Sequence, residues 1–133
     1  MYCFDTDILS ATMRREPSLP LIRRLAQVPP PEQFTTAITL GELLYGAARR
    51  DSDRLHERVR KLIRGALTIV PFDQPAADVY GPLRAQLEAE GERLDEPDLR
   101  IASIALARDL TLVTGNVRHF SRVPNLTVEN WLA

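Results

Sequence analysis

Three carboxylates stand where an apolar run gives way to a polar turn or a helix start. Asp5 follows Tyr2-Cys3-Phe4, Glu42 comes shortly after the run at 34–38, and Asp98 opens the segment leading to the run at 110–114. Asn116 follows that last run. Carboxylates gathered in one cleft repel each other, and a divalent cation is the usual resolution. Oxygen-only donors suit Mg²⁺, which binds through one or two carboxylates, keeps several waters and takes up substrate phosphate oxygens. With two histidines and one cysteine in the chain, no cluster of softer ligands competes. The chemistry these residues could support is metal-assisted attack on a phosphate ester. Each acid also has a purely structural reading. Asp5-Thr6-Asp7 could be a helix-capping turn, Thr39-x-x-Glu42 matches a capping box, and acids such as Asp95 and Asp98 are favoured near a helix N-terminus.

These acids converge only if the right elements carry them. Apolar runs at 2–4, 34–38, 67–70, 110–114 and 126–128 read as short strands. Between them lie helical patterns: Leu19–Ala26, 39–50, a segment after Ser52 with Leu55, Val59, Leu62 and Ile63 in phase, a segment after Pro75 ending near Gly91, and 98–109. Pro29-Pro30-Pro31 separates two elements. Strands alternating with helices predict an α/β fold: a mainly parallel central sheet with helices on both faces, a three-layer α/β/α domain spanning residues 1–133. In such sheets ligands bind outside the carboxyl ends of the strands. The three acids fall there.

Composition bounds the rest. At 133 residues, 44% hydrophobic and 26% charged, the chain reads as one globular domain with enough mass for a core. A single cysteine, Cys3, leaves no internal disulfide, and its apolar neighbours mark it as a small buried hydrophobe. No apolar stretch is long enough to cross a membrane and no signal segment opens the chain, so a cytoplasmic protein is expected. Net charge is −1, which neither favours nor excludes a nucleic-acid partner. The positive charge is almost all arginine and is crowded between Arg49 and Arg64.

The motifs resemble a known family, the PIN domains. Tyr2-Cys3-Phe4-Asp5-Thr6-Asp7-Ile8-Leu9 resembles their opening strand and Asp-Thr-Asn/Asp motif. Thr39-Leu40-Gly41-Glu42-Leu43-Leu44 resembles the second motif, Asp98-Leu99-Arg100-Ile101-Ala102-Ser103 the third, and Leu112-Val113-Thr114-Gly115-Asn116 the fourth. The tail from Val123 to Trp131 looks like the end of VapC-type toxins. The resemblance implies a PIN-like fold over the whole chain and an endoribonuclease dependent on Mg²⁺, with Mn²⁺ able to substitute. It also implies a homodimer neutralised by a small antitoxin, with no membrane partner. On this reading Asp5, Glu42 and Asp98 hold the metal and act with Asn116 in catalysis. Thr6 and Thr114 support them, Thr6 orienting Asp5 and Thr114 the Asn116 side. Arg100, Arg118, His119 and Arg122 are candidate RNA contacts. The chain departs from the family at Asn116, where an acid is common, and at His119, where many relatives also carry one.

Two other readings stay open at this point. Phe4-Asp5-Thr6-Asp7 also resembles the start of haloacid-dehalogenase-type phosphatases, with Asp5 as nucleophile; that chemistry wants a lysine near the later motifs, and Lys61 is the only one. A non-catalytic PIN relative that binds RNA or protein is the other. RNA in a single strand or loop is the expected substrate, because its backbone can enter a cleft.

Overall fold

The computed structural model describes residues 1–132. Strand β1 (Tyr2–Phe4) is short and apolar. Asp5 ends it and caps α1 (Thr6–Thr12), its carboxylate accepting the Thr6 amide at 2.7 Å. Helix α2 (Leu19–Ala26) carries proline in its first turn, where the missing donor is not needed. The prolines at 29–31 form a 3₁₀ turn (Pro30–Glu32) that runs into β2 (Gln33–Thr36). Helix α3 (Ala37–Arg49) follows at once. Next come α4 (Asp53–Arg64), capped by Ser52, then β3 (Thr68–Val70) and α5 (Gln74–Ala89), which closes at Gly91 with φ +69°. Helix α6 (Glu96–Ala107), β4 (Thr111–Val113), the short α7 (Val117–Phe120) and β5 (Val128–Glu129) complete the chain.

The α/β expectation holds, with two corrections that bear on the site. The sequence predicts a strand to 38 and a helix from 39, with Thr39-x-x-Glu42 as its capping box. Instead α3 begins at Ala37, and its cap is Thr36, whose hydroxyl accepts the Thr39 amide at 3.0 Å. Thr36, opposite Val70, is the last residue of β2 paired with β3. Beyond it the ladder ends, and helical hydrogen bonds take over. Glu42 therefore lies in the second turn and has no capping duty. Likewise α6 starts at Glu96, two residues before the predicted 98, so Asp98 sits inside its first turn.

The sheet has five parallel strands in the order β3-β2-β1-β4-β5. The chain builds outward from β1 through β2 and β3, then returns to the other side of β1 for β4 and β5. Such a reversal leaves a crevice at the carboxyl ends of the strands flanking it. Neighbouring strand residues alternate between two cores. Cys3 and Leu112 face α5, α6 and α7 through Leu83, Leu87, Ile101, Ala105 and Phe120. Phe4 and Val113 face α1, α2, α3 and α4 through Ile8, Leu9, Leu21, Leu43 and Val59. Each large side chain buried this way contributes about 1.5–3 kcal/mol. A sheet covered on both faces sets α1, α3, α6 and α7 with their N-termini at one edge.

Candidate functional site

At that edge a crevice of about 370 Å³ is lined by Asp5, Thr6, Asp7, Ser10, Glu42, Asp98, Gly115 and Asn116. Strand β1 delivers Asp5, α3 delivers Glu42, α6 delivers Asp98, and the turn after β4 delivers Asn116. The fold thus brings together all four residues that the sequence singles out for catalysis.

Asp5 is buried, at 6% exposure, and both its oxygens are occupied. One takes the Thr6 amide; the other accepts the Thr114 hydroxyl at 2.8 Å. Burial pushes the Asp5 carboxyl up to about 6, against the pull of the Thr114 and Thr6 hydrogen bonds, and Asp7 and Asp98 push the same way as burial. Asp98 is half-buried and its carboxyl is also raised, first by burial, then by Glu42 and Asp95. Among the described residues no hydrogen bond ends on the Asp98 side chain, nor does Asp95 use its own to cap the helix. Asp98 thus lines the crevice with its carboxylate free of side-chain hydrogen bonds.

Each of the two threonines reaches more than one partner in the crevice. Thr6 serves Asp5 through its backbone, while its hydroxyl donates to Glu42 Oε1 at 2.7 Å. Thr114 binds both sides: its hydroxyl donates to Asp5 and accepts the Asn116 amide at 3.0 Å. The Asn116 side-chain amide lies 2.7 Å from His119 Nδ1, within hydrogen-bond distance.

Sequence reasoning missed Asp7. Its carboxylate accepts the Gly115 amide at 2.8 Å and approaches Thr114 at 3.5 Å, tying α1 to the end of β4. Its place two residues after Asp5 in an Asp-Thr-Asp triplet was the available signal. A Cβ at Gly115 would come within 2.7 Å of Asp7 Oδ2 and Leu132 Cδ1, so those side chains would have to shift to admit one. Of the candidate RNA contacts, His119 meets the crevice through Asn116, while the three arginines lie outside its lining. Arg100 pairs with Glu96 at 3.0 Å and lies over Phe72, Arg122 pairs with Glu92 at 3.2 Å, and Arg118 and His119 are exposed on α7. Lys61 lines an apolar groove beside α2 rather than the crevice, which removes the lysine that phosphatase chemistry needs.

The donors are all oxygens, and at Asp5 and Asp98 burial and neighbouring carboxylates disfavour the charged form. That fits a hard divalent cation, which reverses both costs. Among the described residues no three acids, histidines or cysteines close into a ready-made cage. An ion held here would draw on few carboxylates and complete its shell with water and substrate oxygens, as Mg²⁺ does.

The fold is that of a parallel α/β/α sandwich with an acidic crevice at its switch point, and residues 2–126 match the model of a family with this fold, the PIN domain. The chain belongs to the PIN-domain family, in its VapC-type branch. It is 32% identical to Ribonuclease VapC2 of Rickettsia felis, with 98% of each chain covered. It is 31% identical to the tRNA(fMet)-specific endonuclease VapC of Shigella flexneri, over 98% of this chain and 97% of that one. The crystal structure of VapBC2 from Rickettsia felis bound to a DNA fragment from their promoter superposes with a TM-score of 0.84 at 31% identity, covering 98% of both chains. PIN-domain nucleases generally use divalent metal ions. Among the described residues no helix is long and apolar enough to cross a membrane.

Proposed function

We propose that this protein is a Mg²⁺-dependent endoribonuclease, with Mn²⁺ able to replace Mg²⁺, and the toxin of a toxin–antitoxin pair. It acts in the cytoplasm as a homodimer held in check by a small antitoxin. The observation that carries the nuclease reading is the convergence of Asp5, Glu42 and Asp98, from three separate elements, on one crevice at the switch point. The R. felis relative, named a ribonuclease and crystallised as VapBC2, supports the toxin reading.

A bound Mg²⁺ supplies Lewis acidity toward a phosphoryl oxygen and lowers the pKa of an attacking water. Asp5 and Asp98 would hold it, and Thr114 and the Thr6 amide orient Asp5 for that task. The Thr6 hydroxyl, bound to Glu42 Oε1, orients the Glu42 carboxylate to take the proton of the attacking water. Asn116 adds a polar contact without charge, so the site leans on three carboxylates. The test is incubation of purified protein with total RNA and with isolated tRNA, in Mg²⁺, in Mn²⁺ and in EDTA. Cleavage in either metal and none in the chelator is expected. Cleavage that survives EDTA overturns the metal reading; no cleavage in any condition overturns the nuclease reading.

A further inference from the structure

Beside the acidic crevice, sharing Thr6, Ser10 and Glu42 with it, a groove of about 590 Å³ opens between α1, α3 and α4. Its charge is opposite. Arg14 and Arg15 lie just past α1, Arg49 and Arg50 at the end of α3, and Arg54 in the first turn of α4. Arg54 is fixed by donating to the Met13 carbonyl at 2.5 Å. The other four are exposed, and among the described residues none has a carboxylate within ion-pair distance. The arginines that do pair with carboxylates, such as Arg84, Arg100, Arg108 and Arg122, all lie outside this groove.

Two further features lie on the α3 wall. Tyr45 is 66% exposed, an aromatic ring left out of the core. Gly46 follows it, and a Cβ there would meet nothing within 4 Å. Packing does not ask for that glycine, and glycine weakens a helix interior. Unpaired arginines, an exposed aromatic face and a bare stretch of helix are what a single-stranded nucleic acid uses: cations for phosphates, a ring for a base, and room for close backbone approach. Electrostatics makes the groove necessary. The crevice is acidic and repels the phosphates on either side of the one being cut, so a strand leaving it needs neighbouring positive charge.

We propose that this groove carries the single-stranded RNA segment next to the scissile phosphate, with Arg14, Arg15, Arg49 and Arg50 on its phosphates and Tyr45 stacked on a base. Gly46 lets the strand pass close to α3. The inference rests on the ribonuclease reading above and assigns that reading's substrate path.

The test is fluorescence anisotropy of a short labelled single-stranded RNA with the full chain in EDTA, where it is not cut, across a KCl series. Each neutralised phosphate adds about 0.7 to the salt slope of single-strand binding. The Arg14→Gln/Arg15→Gln and Arg49→Gln/Arg50→Gln pairs are each expected to lower the slope by about 1.4. Tyr45→Ala is expected to weaken binding about tenfold with the slope unchanged. Gly46→Ala separates function from structure: it should raise the melting temperature, as alanine does in a helix, yet weaken RNA binding. Wild-type slope and affinity in both arginine pairs, in a protein that still cleaves RNA, would overturn the groove and leave the nuclease standing. Loss of an acidic peptide's binding in those pairs, with RNA binding untouched, would overturn it in favour of a protein tail. A wild type that neither binds nor cuts RNA brings down the ribonuclease reading itself.

Discussion

The hydroxyl of Thr6 donates to Oε1 of Glu42 at 2.7 Å, joining the first turn of α1 to the second turn of α3 across the acidic crevice. This bond fixes the orientation of the Glu42 carboxylate. Removing it should leave the fold intact while loosening the proton acceptor. Thr6→Val is expected to lower kcat about tenfold or more with a smaller change in KM, since a hydrogen bond to a charged group is worth about 1.5–3 kcal/mol. Thr6→Ser, which keeps the donor, should recover most of the rate. Steady-state kinetics on one RNA substrate checks both; equal rates for Val and wild type would remove Thr6 from the mechanism.

Asp5 gives the metal-free protein a pH dependence of definite sign. Burial raises its carboxyl to about 6 in the folded state, whereas an unfolded aspartate titrates near its ordinary value of about 3.9. The folded chain therefore binds this proton more tightly than the unfolded one. That contribution to stability is fully present below about pH 4 and is lost as pH rises through about 6, and the raised Asp98 acts in the same direction. Urea unfolding in EDTA should show wild type losing stability relative to Asp5→Asn between pH 4 and 7, by on the order of 3 kcal/mol at most. Saturating Mg²⁺ should flatten the difference, and a gap already flat in EDTA would mean that Asp5 keeps an ordinary carboxyl in the fold.

Asp98 tests whether an acid at a helix start is a cap or a ligand. A capping residue replaced by alanine costs about 1 kcal/mol. Among the described residues Asp98 accepts no side-chain hydrogen bond, and it is crowded by Glu42 and Asp95, so its removal should relieve repulsion. In EDTA, Asp98→Ala and Asp98→Asn are expected to melt at or above wild type. Both should also lose the rise in melting temperature that Mg²⁺ gives wild type through binding the folded state alone. An alanine variant that melts lower in EDTA yet gains as much from Mg²⁺ would return Asp98 to the role of a cap.

Asn116→Asp restores an acid to the crevice. The added charge should tighten Mg²⁺ binding, measured calorimetrically, and lower the melting temperature in EDTA through repulsion with Asp5 and Asp98. It also removes the Asn116 donor to His119. Unchanged Mg²⁺ affinity would place this side chain outside the ion's reach.

Much of this protein is local, and local features are readable in sequence. Short apolar runs separated by helical periodicity led to a parallel α/β/α sandwich because a strand covered on both faces must be apolar throughout and short. Asp5 and Asp98 were legible because each stands just after a strand or at a helix start, where open sheets gather their ligands, and Glu42 because it lies within two turns of the end of β2. Boundaries were less so. Thr36 and Thr39 are equally able to cap a helix in isolation; the choice fell to Thr36 because the ladder with β3 ends at Val70, a partner far away in sequence.

What the chain's own pattern determined, then, is the set of elements and the acids at their ends, since both follow from the spacing of neighbours. Tertiary structure alone decided the strand order that makes β1 the switch point, the turn of the Thr6 hydroxyl toward Glu42, and the entry of Asp7 into the crevice. It also withdrew Arg100 and Arg122 into pairs with Glu96 and Glu92 while leaving Arg14, Arg15, Arg49 and Arg50 along a groove. A charge acts on whatever lies within a few ångströms of it, and folding sets those neighbours by burying apolar surface between segments that sequence distance does not relate.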